Sequence, residues 1–546
     1  MSLPSLFRRF YLSHRPQLAV EWVIVFSCIW FALVCNAPFW HEAMTIHPGG
    51  ILFAMSVFIL LFSLHALLLA LIIWRWNAKW LLALLFCVTA LVVHFIQAYH
   101  IYINPDMIRN VLHTDQKESR ELISFKLLLP LALYGGVPLA GLVWIRLRQR
   151  TVVKALLIRL GFIAIIIPIC LLGIFVSFQD IAAMARNHRQ IRYLATPYNY
   201  LFSLEKALKS DLPQTHRAKI PLEHDAKATA RLPHQLPRLL VIILGETARA
   251  ANWGLDHYAR QTTPLLAQRD DLINFPDMHS CGTSTEVSIP CMFSPFGRHQ
   301  YNESMIASHQ SLLHVLEHAG ITTLWRDNQS GCKGVCEGLA FDPLDDAHDR
   351  TLCHDGRCFD QILLRDFAAQ VRAKPGDRVV VLHQIGSHGP NYFERYPAAF
   401  ERFKPVCRTG DLGTCAPRLI VNAFDNTLTY TDRFIADTID LLQAMQDYDT
   451  ALIYLSDHGE SLGEKGLYLH GMPYAIAPTE QTHIPMVMWF SQRFVADRGL
   501  DLRCVQRRAE GRVDQDMLFP SVLNLMQVSS AVYDQRWDFF APCDQR

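Results

Sequence analysis

Short segments of this chain hold the residue types that bind a divalent metal and work on phosphorus. Gly245-Glu246-Thr247, Ser387-His388-Gly389, Ser456-Asp457-His458-Gly459-Glu460 and His470-Gly471 together offer carboxylates and imidazoles, an oxygen- and nitrogen-rich set that suits zinc. An Asp-His-Gly on its own is a common turn. Here the segments recur behind apolar, β-branched runs at 239–244, 378–383 and 450–455, where a strand would deliver them to one edge of a sheet. A further segment runs from Cys281 to Cys291 as Cys-Gly-Thr-Ser-Thr-Glu-Val-Ser-Ile-Pro-Cys. A glycine turn leads there into a hydroxyl-rich stretch able to open a helix, and a helix amino terminus favours phosphate. Thr283, Ser284 and Thr285 all qualify as a metal-activated nucleophile on chemistry alone. Simple helix capping by the same hydroxyls is the plainer alternative.

The elements that must position these residues follow from the pattern. Strands are expected at 239–244, 322–325, 378–383, 450–455 and 485–490, and helices at 311–318, 361–372 and 421–445. Apolar runs separated by helices predict an α/β domain whose parallel sheet is covered on both faces, with ligands at the carboxyl ends of the strands. This domain is expected to span 237–546. Residues 179–236 are polar, irregular and proline-bearing, and read as bridging helices at a membrane surface followed by a linker.

Before the linker the chain is membrane. Stretches at 18–39, 50–74, 80–98, 127–145 and 155–178 are each about the length a bilayer needs, so residues 1–178 read as a transmembrane domain of about five helices. Four spans follow the first with no small-residue cleavage site, so the first is expected to stay. Trp22, Trp40, Trp74, Trp76, Trp80 and Trp144 fall near span ends. Arg8, Arg9 and Arg15 precede span one, Arg75 and Lys79 fill the second loop, and Arg146, Arg148, Arg150 and Lys154 fill the fourth. Positive residues stay inside, which puts the amino terminus in the cytoplasm and everything after 178 outside.

The charge balance, 51 basic against 50 acidic residues, gives no support to a nucleic-acid binder. Cysteine use matches export. Cys28, Cys35, Cys87 and Cys170 lie in apolar spans. The rest fall into pairs, Cys281/Cys291, Cys332/Cys336, Cys353/Cys358, Cys407/Cys415 and Cys504/Cys543, which read as disulfides. The competing arrangement, a structural zinc cluster of Cys332, Cys336, Cys353 and Cys358, has poor ligand spacing.

Over essentially its whole length the chain resembles the phosphoethanolamine transferases of the alkaline phosphatase superfamily, particularly the lipid A-modifying and mobile colistin-resistance enzymes. The carriers are Gly245-Glu246-Thr247-Ala248-Arg249, Asn252-Trp253-Gly254-Leu255, Cys281-Gly282-Thr283-Ser284-Thr285, Ser288-Ile289-Pro290-Cys291-Met292-Phe293-Ser294, Gly386-Ser387-His388-Gly389-Pro390 and Ser456-Asp457-His458-Gly459-Glu460-Ser461-Leu462-Gly463. The resemblance implies a five-helix transmembrane domain plus an alkaline phosphatase/sulfatase-like periplasmic domain at the Gram-negative inner membrane. It implies Thr285 as nucleophile and Glu246, Thr285, Asp457 and His458 as ligands of a catalytic zinc. His388 and His470 would assist with substrate, a proton or a second zinc. Ser330 and Lys333 would contact lipid phosphate and head group. Asn110, Thr114 and Glu118 recur every four residues, on one face of a helix. That spacing alone suits a solvated interfacial helix, and the resemblance makes the three head-group contacts. The implied reaction moves phosphoethanolamine from phosphatidylethanolamine to lipid A by a monomeric enzyme, with polymyxin resistance as the outcome. A core-sugar acceptor or a phosphoglycerol transferase is the alternative. A sulfatase would need a C/S-x-P-x-R sequence, which neither Cys281 nor Cys291 begins. The chain departs from the family at Glu286, where relatives often carry a small residue; a carboxylate there suits the helix dipole but opposes an incoming phosphate.

Overall fold

The computed structural model describes residues 15–46, 50–114, 122, 125–211, 219–222, 225–232, 235–345, 349–354 and 357–544. Contacts divide the chain into one unit of Met1–Ile108 with Ile123–Ala207 and a second of Arg109–Leu122 with Leu208–Arg546.

In the first unit are helices α1 (Ile51–Ile72) and α2 (Ala78–Tyr99); the boundary between the units falls inside the short amphipathic helix α3 (Pro105–His113), whose residues from Arg109 onward belong to the second. The helix α4 (Val152–Val176) comes later. Four segments among the described residues are long and apolar enough to span a membrane: α1, α2, Phe125–Trp144 and α4. The expected span at 18–39 is not one straight helix. Val20–Cys35 and Ala37–Thr45 meet at a 59° bend, and the two together make up a fifth candidate span. The bend falls at buried Asn36, whose amide donates to Phe31 and Thr196 carbonyls and accepts from the Thr196 N–H. Pro38, two residues on, has no N–H to continue the ladder.

The second unit is built on one sheet. In chain order its strands are β1 (Arg238–Gly245), β2 (Leu272–Asn274), β3 (Thr322–Asp327), β4 (Phe341–Pro343), β5 (Arg378–His383), β6 (Asp449–Ser456) and β7 (Met486–Phe490). Across the sheet they run β2-β7-β6-β1-β5-β3-β4. Strands β6, β1, β5, β3 and β4 are mutually parallel, as expected of apolar runs joined by helices. The expected parallel arrangement does not extend to one side, where β7 lies antiparallel to both β6 and β2. Between β6 and β7 the chain makes site loops and only one four-residue α-helix, so it returns without a crossover helix.

Alternation along β1 feeds two cores. Leu240, Ile242 and Leu244 pack on one face with Leu312, Val315, Leu518 and Val522. Leu239, Val241 and Ile243 pack on the other, against the long helix later in the chain that buries Phe424, Leu428 and Ile435. Every residue of β1 is buried, so no face of the strand is left to solvent. The remaining helices used below are α5 (Thr285–Met292), α6 (Glu303–Ser308) and the long α7 (Pro417–Ala444). The expected helix at 361–372 is broken: a 3-10 turn at Asp360–Leu364 gives way to a short helix at Phe367–Arg372. Asp366 between them is left-handed, at φ +54°. The ten cysteines outside the membrane helices pair as expected into five disulfides. That pairing rules out a zinc cluster of Cys332, Cys336, Cys353 and Cys358.

Candidate active site

Register at the centre of the sheet puts two carboxylates side by side. Ser456 of β6 pairs with Gly245 of β1, so Asp457 and Glu246 are the next residue on each strand. The Asp457 N–H donates to the Gly245 carbonyl at 2.9 Å, and Asp457 Oδ1 accepts from the N–H groups of Thr247 and His458. Strand β5 lies beside β1 and leads into 384–388, where the Ser387 N–H donates to the Glu246 carbonyl at 3.0 Å. Residue 386 must be glycine: its φ is +50°, and a Cβ there would meet the Glu246 backbone at 2.9 Å.

The helix α5 brings the nucleophile candidates. Of the three candidate hydroxyls, Thr283 donates to the Met472 carbonyl and Ser284 stands at the N-cap of α5. Thr285 Oγ1 reaches the metal candidates, 3.1 and 3.2 Å from the Glu246 carboxylate oxygens and 3.3 Å from His458 Nε2. His458 Nε2 stands 3.2 Å from Asp457 Oδ2 and 3.6 Å from Glu246 Oε1.

These distances suit a tetrahedral ion. With bonds of roughly 2.0–2.1 Å to nitrogen and oxygen, ligand atoms lie ~3.3–3.4 Å apart. The four candidate donors are separated by close to that edge. Glu246, Asp457 and His458 are fully buried, and their ligand atoms lie within 4.8 Å of one another. Asp457 Oδ2 is buried and accepts no hydrogen bond among the described residues. His458 Nδ1 sits 2.9 Å from the Gly459 carbonyl, which only accepts, so the proton is on Nδ1 and Nε2 offers its lone pair. Burial pushes the His458 imidazole down to about 4, in spite of the opposing charge of Asp457, which keeps it neutral at pH 7. Two buried carboxylates beside a neutral imidazole call for a cation. The donor set fits zinc.

Around this cluster, a cavity of about 60 Å³ is lined by Thr285, Glu286, Ser330, Lys333, His388, His470, Asn110 and Thr114. Glu118 lies outside the described residues. The His388 and His470 rings are 5.7 Å apart, and His470 and His458 4.5 Å. Burial, reinforced by the neighbouring His470 and by the Arg395 and Arg357 guanidiniums, pushes His388 well below the usual imidazole range. His470 Nδ1 lies 3.3 Å from Glu460, a buried carboxylate whose pKa burial raises. Lys333 donates to the Ser330 hydroxyl at 2.7 Å. Glu286 is not left to face the cavity as an uncompensated charge: His113 Nδ1 sits 2.6 Å from it and Lys333 Nζ 3.5 Å. Burial alone would raise its pKa, but the His113 hydrogen bond and the charges of Lys333, His113 and Arg109 bring it below the usual range.

Several positioning residues escape motif reading. Gln329 Nε2 donates to Glu246 Oε2 at 2.9 Å. Asp327 gathers the 328–333 loop by accepting from His383, Trp325 and the N–H groups of Gln329 and Gly331. Asp360 accepts from Asn328 and from the N–H groups of Ile385 and Gly386. Gln515 donates to the carbonyls of Ser456 and Asp457 and accepts from the Cys281 N–H, tying the end of β6 to the nucleophile loop. The only sequence signal for these was a polar residue after an apolar run. Thr247, Lys333 and Leu469 are all left-handed, with φ of +53°, +49° and +62°. Each is a site residue or the neighbour of one, a cost of order 1–2 kcal/mol that surrounding contacts must hold.

The chain's residues 61–212 match the family model described as phosphoethanolamine transferase EptA/EptB, and residues 238–528 match the sulfatase model. It is 35% identical to phosphoethanolamine transferase EptA of Salmonella typhimurium, covering 97% of this chain and 98% of that one. The chain belongs to the phosphoethanolamine transferases. Phosphatidylethanolamine transferase Mcr-1 of Escherichia coli is 34% identical over 87% of this chain and 90% of its own. The integral membrane lipooligosaccharide phosphoethanolamine transferase A of Neisseria meningitidis superposes with a TM-score of 0.92 at 37% identity, covering 97% of this chain and all of that one. As a phosphoethanolamine transferase the chain is an enzyme of the inner membrane, with several membrane spans and a periplasmic catalytic domain of alkaline phosphatase superfamily fold.

Proposed function

We propose that this transferase moves phosphoethanolamine from phosphatidylethanolamine to a phosphate of lipid A, through a covalent phosphoethanolamine ester on Thr285, and so confers resistance to polymyxins. The observation that carries the reading is the Thr285 hydroxyl, held at once against Glu246 and His458 at the start of α5. Glu246, Asp457, His458 and Thr285 would hold zinc, which supplies positive charge that acidifies the hydroxyl and offsets charge on phosphoryl oxygens.

This chain's own residues do the rest. The Thr285 O–H donates to the Glu246 carboxylate, which keeps Oγ in one rotamer and takes its proton as Oγ becomes the nucleophile. Oγ attacks the donor phosphorus, the bond to the diacylglycerol oxygen breaks, and that oxygen takes a proton. His388, held neutral by burial, is a poor acid, so His470 beside Glu460 is assigned the donor's role. Lys333 and Ser330 seat the phosphate; Asn110, Thr114 and Glu118 contact the head group, with Glu118 suited to the ethanolamine ammonium. A lipid A phosphate then attacks the phosphorus and frees Thr285. The product carries a new ammonium beside each modified phosphate, and weaker binding of cationic peptides follows. The likeness to the lipooligosaccharide phosphoethanolamine transferase A of Neisseria meningitidis supports this class of acceptor.

The test is mass spectrometry of lipid A from Gram-negative cells expressing the wild type or Thr285→Ala. Addition of phosphoethanolamine by the wild type alone is expected. Modification at the wild-type level by the folded variant removes Thr285 from the mechanism.

A further inference from the structure

His113, Glu286, Ser330 and Lys333 line two cavities at once. The one containing Thr285 measures about 60 Å³, room for a phosphoryl group but not for a sugar ring. The other measures about 660 Å³ and extends from Glu286 along α6 to Lys219. That volume falls in the range of pockets that enclose whole small molecules.

The larger cavity has a chemical character of its own. Arg109, His113, Lys219 and Lys333 bring cations to it, and Glu286, Glu303 and Glu337 bring carboxylates. The charges are already matched: Arg109 with Glu303, and His113 and Lys333 with Glu286. The Lys219 amine is lowered by burial and supported by Glu337. Ser304 and Gln310 add neutral hydrogen-bonding groups to the walls. Val287, Pro290, Phe293, Ile306 and Val335 supply apolar wall between these groups, but an acyl chain laid along the whole cavity would leave the charged ones without partners. The lining is a good host for a ligand that carries both phosphate and hydroxyls, the phosphate exchanging for a carboxylate on a cation and the hydroxyls meeting the carboxylates.

We infer that this cavity is the acceptor subsite. It takes a phosphorylated sugar head group, with the phosphate at the wall shared with Thr285 and the ring along α6. The inference rests on the reading above, in which Thr285 carries the transferred group. In the step it serves, an oxygen of the acceptor's phosphate monoanion bonds to the phosphorus on Thr285, the P–Oγ bond breaks, and the proton released by the acceptor returns to Oγ. A phosphoanhydride forms and the hydroxyl is restored.

Full-length protein in phosphatidylethanolamine vesicles allows the halves of the reaction to be read separately. Diacylglycerol release without acceptor reports the donor half; label reaching added lipid A reports the acceptor half. Ala307→Trp places an indole in the cavity from α6 and lowers acceptor transfer relative to diacylglycerol release by about tenfold or more. Lys219→Ala, a milder change, raises the lipid A concentration for half-maximal transfer by about tenfold, the worth of one charge-assisted contact. Equal loss of both halves in the two variants, or wild-type ratios in both, overturns the assignment. A wild type that releases no diacylglycerol sinks the Thr285 reading and this one with it, and is told apart by failing before any substitution is made.

Discussion

Gln329→Leu separates the candidate metal ligands from what holds them. Gln329 is buried, and its amide donates to Glu246 Oε2 at 2.9 Å. A hydrogen bond to a charged acceptor contributes about 1.5–3 kcal/mol, and outer partners of metal ligands are worth about 10–100-fold in affinity. The same oxygen also accepts from Thr285 Oγ1 at 3.2 Å, so the carboxylate keeps one donor after the change. That places the loss at the lower end, about 10–30-fold in zinc affinity, or about 1.4–2 kcal/mol. Leucine fills most of the space and leaves the 328–333 loop held by Asp327. Competition against a chromophoric chelator at neutral pH measures the affinity, and a melting curve of the chelated protein checks the fold. Affinity within twofold of wild type in a folded variant would show that Gln329 does not position Glu246 for a metal, and the account of the site's outer layer would be wrong.

Acidification should destabilise the metal-free protein. His458 titrates near 4 in the fold against 6.5 in the open chain, so its contribution is complete above pH 6.5 and is lost as pH falls through 4, about 3 kcal/mol in all. His388 acts with the same sign. Zinc affinity should hold through the upper part of this range and decline only as pH nears 4, where protons compete for the His458 lone pair in the folded site; melting curves and metal titrations from pH 7 to 4 check both, and a flat profile counts against them. Gly245→Ala puts a methyl 2.7 Å from the Tyr454 ring, which stacks on fully buried Trp253, so stability should fall by about 1–3 kcal/mol and metal binding with it. Glu286→Ala leaves Lys333 donating to Ser330; stability should drop by about 2 kcal/mol and the KM for phosphatidylethanolamine should fall, because a phosphate no longer competes with a carboxylate. A higher KM would reverse that reasoning.

Strands β1, β5 and β6 were legible because each is a short, fully buried run: β5 matches the expected 378–383 residue for residue, and β1 and β6 differ by one at each end. Edge strands β2 and β4, three residues each, carry too little pattern to be seen. The direction of β7 was not in the pattern either, since a buried strand reads the same both ways and the missing crossover helix is a property of the loop before it. Asp366 stops a helix by its backbone conformation, which side-chain periodicity does not report. The candidate ligands were readable because they follow the strands immediately. Gln329, Asp360 and Gln515 were not, because each acts across the fold on a backbone or carboxylate far off in sequence.

The disulfides join each cysteine of the second unit to the next one along the chain, 281 to 291, 332 to 336, 353 to 358, 407 to 415 and 504 to 543. A polypeptide threaded outward from its amino-terminal end therefore presents both sulfurs of a bridge before the first sulfur of the following one. Oxidation in order of emergence yields the native connectivity with no reshuffling, so a cell supplying only a thiol oxidant, and no isomerase, should still mature this enzyme.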